Sequence, residues 1–193
     1  YPYQAIMILG ICGKIASGKS HFAKAIAEQG YAESGGRRIP LEQPELIEAD
    51  TLAHDLYTDG FIHGELADCF GDSILAGDFV SRARLREVAF FSEENLLKLE
   101  AILHPPMRRR LSQLVKAARA EGRDALVVAA LPRSFHLDEF CDEVLELPIT
   151  REDAWQRVQA RSSQLQQAAF DIIWERQSRE YPCPTAQKAR QSG

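Results

Sequence analysis

The sequence has little that would tie the chain to a metal cluster, a membrane or a polyanion. Its four cysteines stand far apart, with no CxxC pair and no histidine at metal-ligand spacing, so neither a zinc site nor a disulfide framework is indicated and reduced thiols in a cytoplasmic protein are expected. No apolar run approaches the roughly 20 residues of a membrane span. With 28 acidic and 23 basic residues, the formal net charge of −5 offers a nucleic acid or an anionic lipid no overall attraction. An anionic small molecule would have to be held by a local site.

The pattern of apolar residues predicts an α/β fold. The 193 residues, of which 45% are hydrophobic, suffice for one domain with a sizeable core. Short apolar runs, typical of strands buried on both faces of a parallel sheet, alternate with segments of helical periodicity. The expected architecture is a parallel sheet flanked by helices, with a helical insertion. Strands are predicted at residues 5–11, 45–49, 125–130 and 143–147, and a mainly helical region is predicted at residues 51–121.

Two helix boundaries are predicted from local signals. The strongest helix of the middle third is expected to begin near His104, because Pro105 suits a first turn, and to end at Gly122. Thr150 and Asp153 resemble a capping box and predict the start of another helix.

The strongest functional signal is the segment 13–20, which matches G-x-x-x-x-G-K-[ST] without a gap. A predicted buried strand precedes it and a predicted helix over residues 20–28 follows it, so backbone N–H groups and the positive end of the helix would face a phosphate. Lys19 would reach the β- and γ-phosphates of a nucleotide, and the Ser20 hydroxyl would bind Mg²⁺. The residues of this segment expected to bind ATP are Gly13, Ala16, Ser17, Gly18, Lys19, Ser20 and His21.

A phosphate-binding loop alone does not separate a kinase from a GTPase or a motor ATPase. The D-x-x-G string at residues 68–71 lies in a helical stretch, and the sequence has no N-K-x-D string for guanine, which disfavours a GTPase. The apolar run 125–130 leads into Leu131, Pro132 and Arg133, with no acidic metal-organising residue, which disfavours a motor ATPase. A small-molecule kinase is the best-supported interpretation.

Asp50 ends the second predicted strand, and the carboxyl ends of parallel strands face the crevice in which ligands bind. Because the phosphate-binding loop opens at the same edge, the Asp50 carboxylate could accept the proton of an acceptor hydroxyl or help to hold Mg²⁺. Asp is also a favoured helix N-cap, so a purely capping role is the alternative.

The order of these segments resembles the dephospho-coenzyme A kinase family over most of residues 6–161. Besides the phosphate-binding loop, the resemblance rests on the string I-E-A-D-T-L-A-H at 47–54, the string L-R-E at 85–87 with Phe90, and the string L-E-A-I-L-H-P at 99–105.

This resemblance implies a P-loop kinase fold and a reaction. The core would take residues of about 1–54 and 122–150, a helical insertion of about 55–121 would bind the coenzyme A moiety, and lid helices would occupy about 151–179. The implied reaction is ATP-dependent phosphorylation of the 3'-hydroxyl of dephospho-coenzyme A, the last step of coenzyme A synthesis, with ATP and Mg²⁺.

The resemblance also implies residue roles. Arg157 and Arg161, four residues apart on the lid helix, would bring guanidinium groups over the phosphates, with Arg161 as the clamp. Without the resemblance, His104 is typical of a helix start and the arginine pair of a solvated helix face. The expected substrate contacts are Asp50, His54, Arg86, His104 and Arg108.

Several positions depart from the family pattern. Lys14 and Ala16 replace two loop glycines, and the run 131–136 puts polar residues where apolar and acidic ones are usual. Residues 32–44 form a longer exposed loop than expected, and the family's closing strand is not visible in the polar tail 180–193. A different P-loop small-molecule or nucleotide kinase and a catalytically weak ATP-binding pseudoenzyme therefore stay open as alternatives.

Overall fold

The structure, a computed structural model, describes residues 5–161, 164–183 and 186–188. The strands in this part of the chain are β1 (Ile8–Cys12), β2 (Tyr31–Ser34), β3 (Arg37–Pro40), β4 (Glu45–Glu48), β5 (Leu75–Ala76), β6 (Phe79–Val80), β7 (Ala125–Ala129), β8 (Glu143–Glu146) and β9 (Ala186–Lys188). The α-helices are α1 (Lys19–Gln29), α2 (Ala49–Leu56), α3 (Gly60–Phe70), α4 (Arg82–Ala89), α5 (Glu93–Ala120), α6 (Leu137–Phe140), α7 (Arg151–Arg161) and α8 (Gln167–Ser178).

A parallel sheet with the strand order β4-β7-β1-β8-β9 forms the centre of the fold. Alternate residues of its strands enter two different cores. Ile8 and Val127 join the core that contains residues of α2 to α5, whereas Leu9 and Val128 join the core that contains residues of α1 and of β2 and β3. Burial on both faces explains why the strands read as unbroken apolar runs. The predicted α/β fold with a parallel sheet is confirmed.

The expectation that the polar tail lacks a strand is wrong. β9 pairs in parallel with β8, from Val144 opposite Ala186 to Glu146 opposite Lys188. The strand has three residues, Ala-Gln-Lys, and lies at the edge of the sheet. Backbone hydrogen bonds to the neighbouring strand hold it in the sheet. A run so short and polar has no apolar periodicity, so its sequence does not indicate a strand.

The predicted helix start at His104 is also wrong. α5 begins at Glu93, with the Ser92 hydroxyl accepting a hydrogen bond from the Asn95 N–H, and Pro105 lies inside the helix. Proline removes one backbone hydrogen bond from a helix. Buried residues on both sides of it keep the helix packed onto the core: Leu96, Leu99, Leu103, Met107, Leu111, Val115 and Ala118.

Residues 31–40 form a hairpin in the region predicted to be an exposed loop. β2 and β3 are antiparallel, and Gly35 and Gly36 take positive φ values of 57° and 81° in the turn between them. The Ser34 hydroxyl, 3% exposed, donates to Oε1 of Gln187 on β9 at 2.5 Å. The Arg37 guanidinium also pairs with the Glu143 carboxylate on β8. The segment is therefore packed against the edge of the sheet.

Two further observations complete the fold. The Asp153 N–H donates to the Thr150 hydroxyl at 3.1 Å, so the predicted Thr150 cap of α7 is confirmed. Among the described helices, none has the length and apolar character needed to cross a membrane.

Candidate active site

The phosphate-binding loop joins the central strand β1 to α1 and requires a glycine at its first position. A Cβ on Gly13 would lie 2.4 Å from Oγ of Ser17 and 2.9 Å from the carbonyl oxygen of Leu147, distances that real atoms do not tolerate. Gly18 precedes α1 with φ 89° and turns the chain into the helix. The unpaired N–H groups at the start of α1 thus face the concave side of the loop, where an anion would be stabilised.

Lys19 is the first residue of α1, and its side chain folds back over the loop. Its Nζ donates to the carbonyl oxygen of Lys14 at 3.1 Å. Burial lowers the pKa of Lys19, while the Asp50 carboxylate raises it and the Arg161 guanidinium lowers it further. Asp50 and Arg161, the two other side chains predicted to be catalytic, therefore lie close enough for their charges to act on Lys19.

Asp50 is not a helix N-cap. It lies in the first turn of α2, where Glu48 holds the capping position and makes no side-chain cap hydrogen bond. The Asp50 side chain is exposed and lines the cleft beside the loop. The capping alternative is therefore wrong, and the carboxylate is free of any structural hydrogen bond to its own helix end.

Ser20 and His21, the next residues of α1, are exposed at the mouth of the loop. Of the two arginines predicted to lie over the phosphates, Arg157 donates from Nη1 to the carbonyl oxygen of Ala16 at 3.2 Å. Arg161 is exposed at the end of α7, where its charge reaches Lys19. Both arginines thus face the loop from α7.

Ala16 has φ 60°, in the left-handed region that glycine adopts freely and alanine does not. Ser17 beside it is fully buried and its N–H donates to the Lys14 carbonyl oxygen at 3.1 Å, so the surrounding loop is tightly closed. The strain at Ala16 is the cost of replacing a loop glycine.

We expect Ala16→Gly to raise the free energy of unfolding by up to about 1.6 kcal/mol. Relief of the left-handed conformation contributes about 1–2 kcal/mol, and the extra freedom of glycine in the unfolded chain offsets about 0.4–1 kcal/mol of it. Ala25→Gly on the exposed face of α1 is the matched control and should cost about 1 kcal/mol. Urea unfolding of both variants measures the difference, and equal losses in the two would contradict the strain.

Helix α8 supports the loop from outside through contacts that the sequence did not predict. The Ile15 N–H donates to Oε1 of Gln177 at 2.6 Å. Nζ of Lys14 lies 4.3 Å from the ring centroid of Trp174, in a cation–π contact. The Lys14 side chain and the Ile15 backbone, near the start of the loop, are thus held against α8.

A cleft of about 210 Å³ lies next to the loop, between α2, α5, α8 and the segment after β7. Asp50 is on its wall, and so is His104, which sequence reasoning had placed in another part of its helix. The His104 ring lies 4.9 Å from the Phe135 ring. Burial lowers the pKa of His104 to about 4, with Arg176 and Arg108 adding to the effect, so His104 is neutral at pH 7.

His54 and Arg86 lie near Tyr57, the residue that follows α2. Burial raises the pKa of Tyr57, the charges of Arg82 and Arg86 lower it, and the Asp50 carboxylate raises it. The exposed His54 ring is 6.5 Å from the Tyr57 ring. Tyr57 is thus a neighbour of Asp50 that the sequence analysis missed, and its place at the C-cap of α2 carries no signal of its own.

Arg108 lies next to the cleft and not on its wall. Its Nη1 donates to the carbonyl oxygen of Ser134 at 3.2 Å, and its charge acts on His104. Of the predicted substrate contacts, Asp50 and His104 therefore lie on the cleft wall, whereas His54, Arg86 and Arg108 do not.

The unusual polar residues of segment 131–136 do not line the cleft. The N–H groups of Arg133 and Ser134 donate to the Glu180 carboxylate at 2.8 and 2.9 Å, and the Ser134 hydroxyl donates to it at 2.6 Å. Leu131 and Phe135 are the members of the segment on the cleft wall. The Ser134 hydroxyl and two backbone N–H groups of the segment are thus satisfied by the Glu180 carboxylate, which is 5% exposed, and the segment contributes only apolar side chains to the cleft wall.

A P-loop at the carboxyl edge of a parallel sheet, with a cleft beside it and two arginines above it, is the arrangement of the P-loop kinases. A Thermus thermophilus protein of known structure has this fold: it superimposes with a TM-score of 0.65 at 24% identity, covering 98% of this chain and 91% of that one.

The family within this class follows from the sequence comparisons. The family model for dephospho-CoA kinase matches residues 7–188. The dephospho-CoA kinase of Carboxydothermus hydrogenoformans is 30% identical over 159 residues, which are 80% of this chain and 70% of that protein. That of Fusobacterium nucleatum is 30% identical over 145 residues, 74% of this chain and 66% of its own length.

The chain belongs to the dephospho-CoA kinase family. This family consists of ATP-using transferases with an alcohol acceptor, and its reaction is the final step of coenzyme A synthesis. The resemblance found in the sequence is confirmed.

Proposed function

We propose that this chain carries out its family's reaction by transferring the γ-phosphate of ATP to the 3'-hydroxyl of dephospho-CoA between the P-loop and the adjoining cleft. The observation that carries the proposal is that Asp50 of α2, on the wall of the cleft, and Arg161 of α7 lie near enough to Lys19 of the P-loop for their charges to act on it. One carboxylate and two cations at the junction of a phosphate site and an acceptor cleft supply what phosphoryl transfer needs.

The loop would hold the triphosphate. Backbone N–H groups at the start of α1 face its β- and γ-phosphates, and the Lys19 ammonium leaves the Lys14 carbonyl oxygen to neutralise them. Moving the ammonium from a buried position to an anionic partner restores the charged form that burial disfavours.

Mg²⁺ fits the oxygen donor at the mouth of the loop. The exposed Ser20 hydroxyl on α1 is a ligand of the kind that Mg²⁺ prefers. Among the described residues no group of three or more His, Cys, Asp and Glu side chains could hold a metal ion, so phosphate and water oxygens would complete the coordination. When bound, the ion would supply positive charge that stabilises the negative charge of the phosphates.

Asp50 would act on the acceptor. In the cleft, the 3'-hydroxyl donates to the Asp50 carboxylate, which orients it in line with the γ-phosphate and accepts its proton as the new O–P bond forms and the bond to ADP breaks. Neutral His104 on the same wall offers a hydrogen-bond donor or acceptor to the bound molecule without adding charge.

The test is ADP production with Mg²⁺-ATP and a panel of acceptors: dephospho-CoA, adenosine monophosphate and shikimate. Dephospho-CoA is expected to stimulate ADP formation well above the other two. Stimulation by another acceptor would identify a different small-molecule kinase, and ATP binding without turnover on any acceptor would identify a pseudoenzyme. Either result contradicts the proposal.

Arg161 is expected to clamp the phosphates when α7 closes over the loop. Arg161→Ala should lower turnover about 10- to 10²-fold, because a hydrogen bond to a charged group contributes about 1.5–3 kcal/mol. Arg161→Lys keeps the charge, loses the planar fork and should recover part of the rate. Arg151→Ala, at the exposed start of the same helix, is the control and should stay near wild type. If Arg161→Ala also has wild-type turnover, Arg161 is an ordinary surface residue.

A further inference from the structure

Gln177, near the end of α8, lies where the P-loop and the acceptor cleft meet. Its Oε1 accepts the hydrogen bond from the Ile15 N–H at 2.6 Å. The same residue lines the acceptor cleft, together with Ile173 and Arg176 of the same helix. One residue thus contacts the backbone that surrounds the nucleotide phosphates and the wall against which the acceptor would rest.

On the nucleotide side, the loop depends on α8 for its position. Ile15 and Ala16 pack against a buried cluster that includes Phe170 and Trp174 of α8. Within this contact the Gln177 amide is the group that binds the loop backbone itself. A displacement of Gln177 would therefore move the Ile15 peptide, one residue from the strained Ala16.

On the acceptor side, α8 is anchored to the cleft wall by ion pairs. Nε of Arg176 lies 2.8 Å from Oε2 of Glu100 on α5, and both side chains are nearly buried, at 11% and 12% exposed. Nη1 of Arg176 also lies 3.1 Å from Oε1 of Glu180. Separating a buried charge from its partner is energetically unfavourable. The end of α8 and the wall of the cleft therefore keep their relative positions.

We propose that Gln177 is a positioning residue that couples the two substrates, so that an acceptor resting against the end of α8 fixes the P-loop for the nucleotide. The inference rests on the proposed function, since the coupled ligands are the substrates of that reaction. By thermodynamic linkage, each substrate then raises the affinity of the other by the same factor.

ADP and dephospho-CoA form a pair that cannot react with each other, so the coupling is measurable at equilibrium. Isothermal titration calorimetry gives the Kd of ADP with and without saturating dephospho-CoA, and their ratio is the coupling factor. We expect a factor of about 5 or more for the wild type. Gln177→Met keeps the side-chain length, removes the acceptor oxygen and should bring the factor close to 1.

Two further variants separate positioning from general damage. Gln177→Glu keeps an acceptor oxygen for the Ile15 N–H and should retain the coupling factor, even where its negative charge weakens ADP binding overall. Gln167→Met makes the same change on the exposed first residue of α8 and should behave as wild type. If Gln177→Met does not fold, Gln177→Asn takes its place. It keeps the amide on a side chain too short to bind the Ile15 N–H, and its coupling factor should also be close to 1.

A wild-type factor of 1, or an unchanged factor in the folded Gln177→Met and Gln177→Asn variants, would overturn the inference while leaving the proposed function intact. Failure of the wild type to bind dephospho-CoA at all would overturn the proposed function and the coupling with it. The two failures are distinguished by whether both ligands bind singly.

Discussion

Lys19→Met is expected to lower turnover by about 10³-fold while the protein stays folded, since the ammonium is the group that would stabilise charge developing on the bridge between the β- and γ-phosphates. Circular dichroism and turnover of the same preparation measure the two effects. Lys24→Met, on the exposed face of the same helix, is the matched control and should keep wild-type turnover. A folded Lys19→Met protein with wild-type turnover would refute the assignment of the loop as a phosphate site.

The same variant is expected to be as stable as the wild type, or more stable, at pH 7. Burial lowers the pKa of Lys19 in the folded protein, so the charged form is disfavoured there relative to the unfolded chain. Between the folded-state pKa and the unfolded value of about 10.5, Lys19 binds more protons in the unfolded chain than in the folded protein. The free energy of unfolding of the wild type therefore rises with pH over this range. Lys19→Met lacks this gain. Urea unfolding of both proteins between pH 7 and 10.5 should show their difference shrinking as pH rises.

Asp50→Asn is expected to lower turnover by about 10²–10⁴-fold if the carboxylate accepts the proton of the acceptor hydroxyl. The loose transition state of phosphoryl transfer favours the lower part of that range, because little proton transfer is needed early. Since Asp50 does not cap α2, the cost in stability should be limited to the lost attraction of its charge for the start of the helix, about 0.3–1 kcal/mol.

The control for Asp50 is Asp55→Asn, an exposed position on the same helix, which should keep wild-type turnover and stability. The Kd of ADP should stay near the wild-type value in both variants, which separates a chemical role from a binding role. Turnover of Asp50→Asn within about threefold of wild type, with an unchanged melting temperature, would leave the carboxylate without the role assigned to it.

The main sheet strands and the P-loop could be predicted because each depends on a pattern of residues that are close together in the sequence. β1 and β7 are continuous apolar runs buried on both faces, β4 and β8 have an apolar pair between two glutamates, and the P-loop is an unbroken string between a strand and a helix. The strand β9 could not be predicted, since a short polar edge strand is recognised only through the partner that pairs with it. The start of α5 was missed for a related reason: Pro105 looks like a first turn unless the packing on both sides of it is known.

For the candidate site, the sequence by itself was sufficient to predict which residues would bind phosphate and act on the acceptor. Gly13, Lys19 and Ser20 follow from a motif whose spacing is set by the geometry of one turn around a phosphate, and Asp50 follows from its place at the end of a strand. Such features need only neighbours along the chain.

Only the tertiary structure decided how those groups are supported. The Glu180 carboxylate that satisfies segment 131–136, the pair of Arg176 with Glu100, and the Gln177 contact to the loop join residues 46, 76 and 162 positions apart, respectively. A hydrogen bond or ion pair depends on separation in space, and the sequence carries no periodicity that records such distant partners. The residues proposed to carry out the chemistry could therefore be predicted from the sequence. The residues that hold them in place could be identified only from the packing of the helices in the tertiary structure.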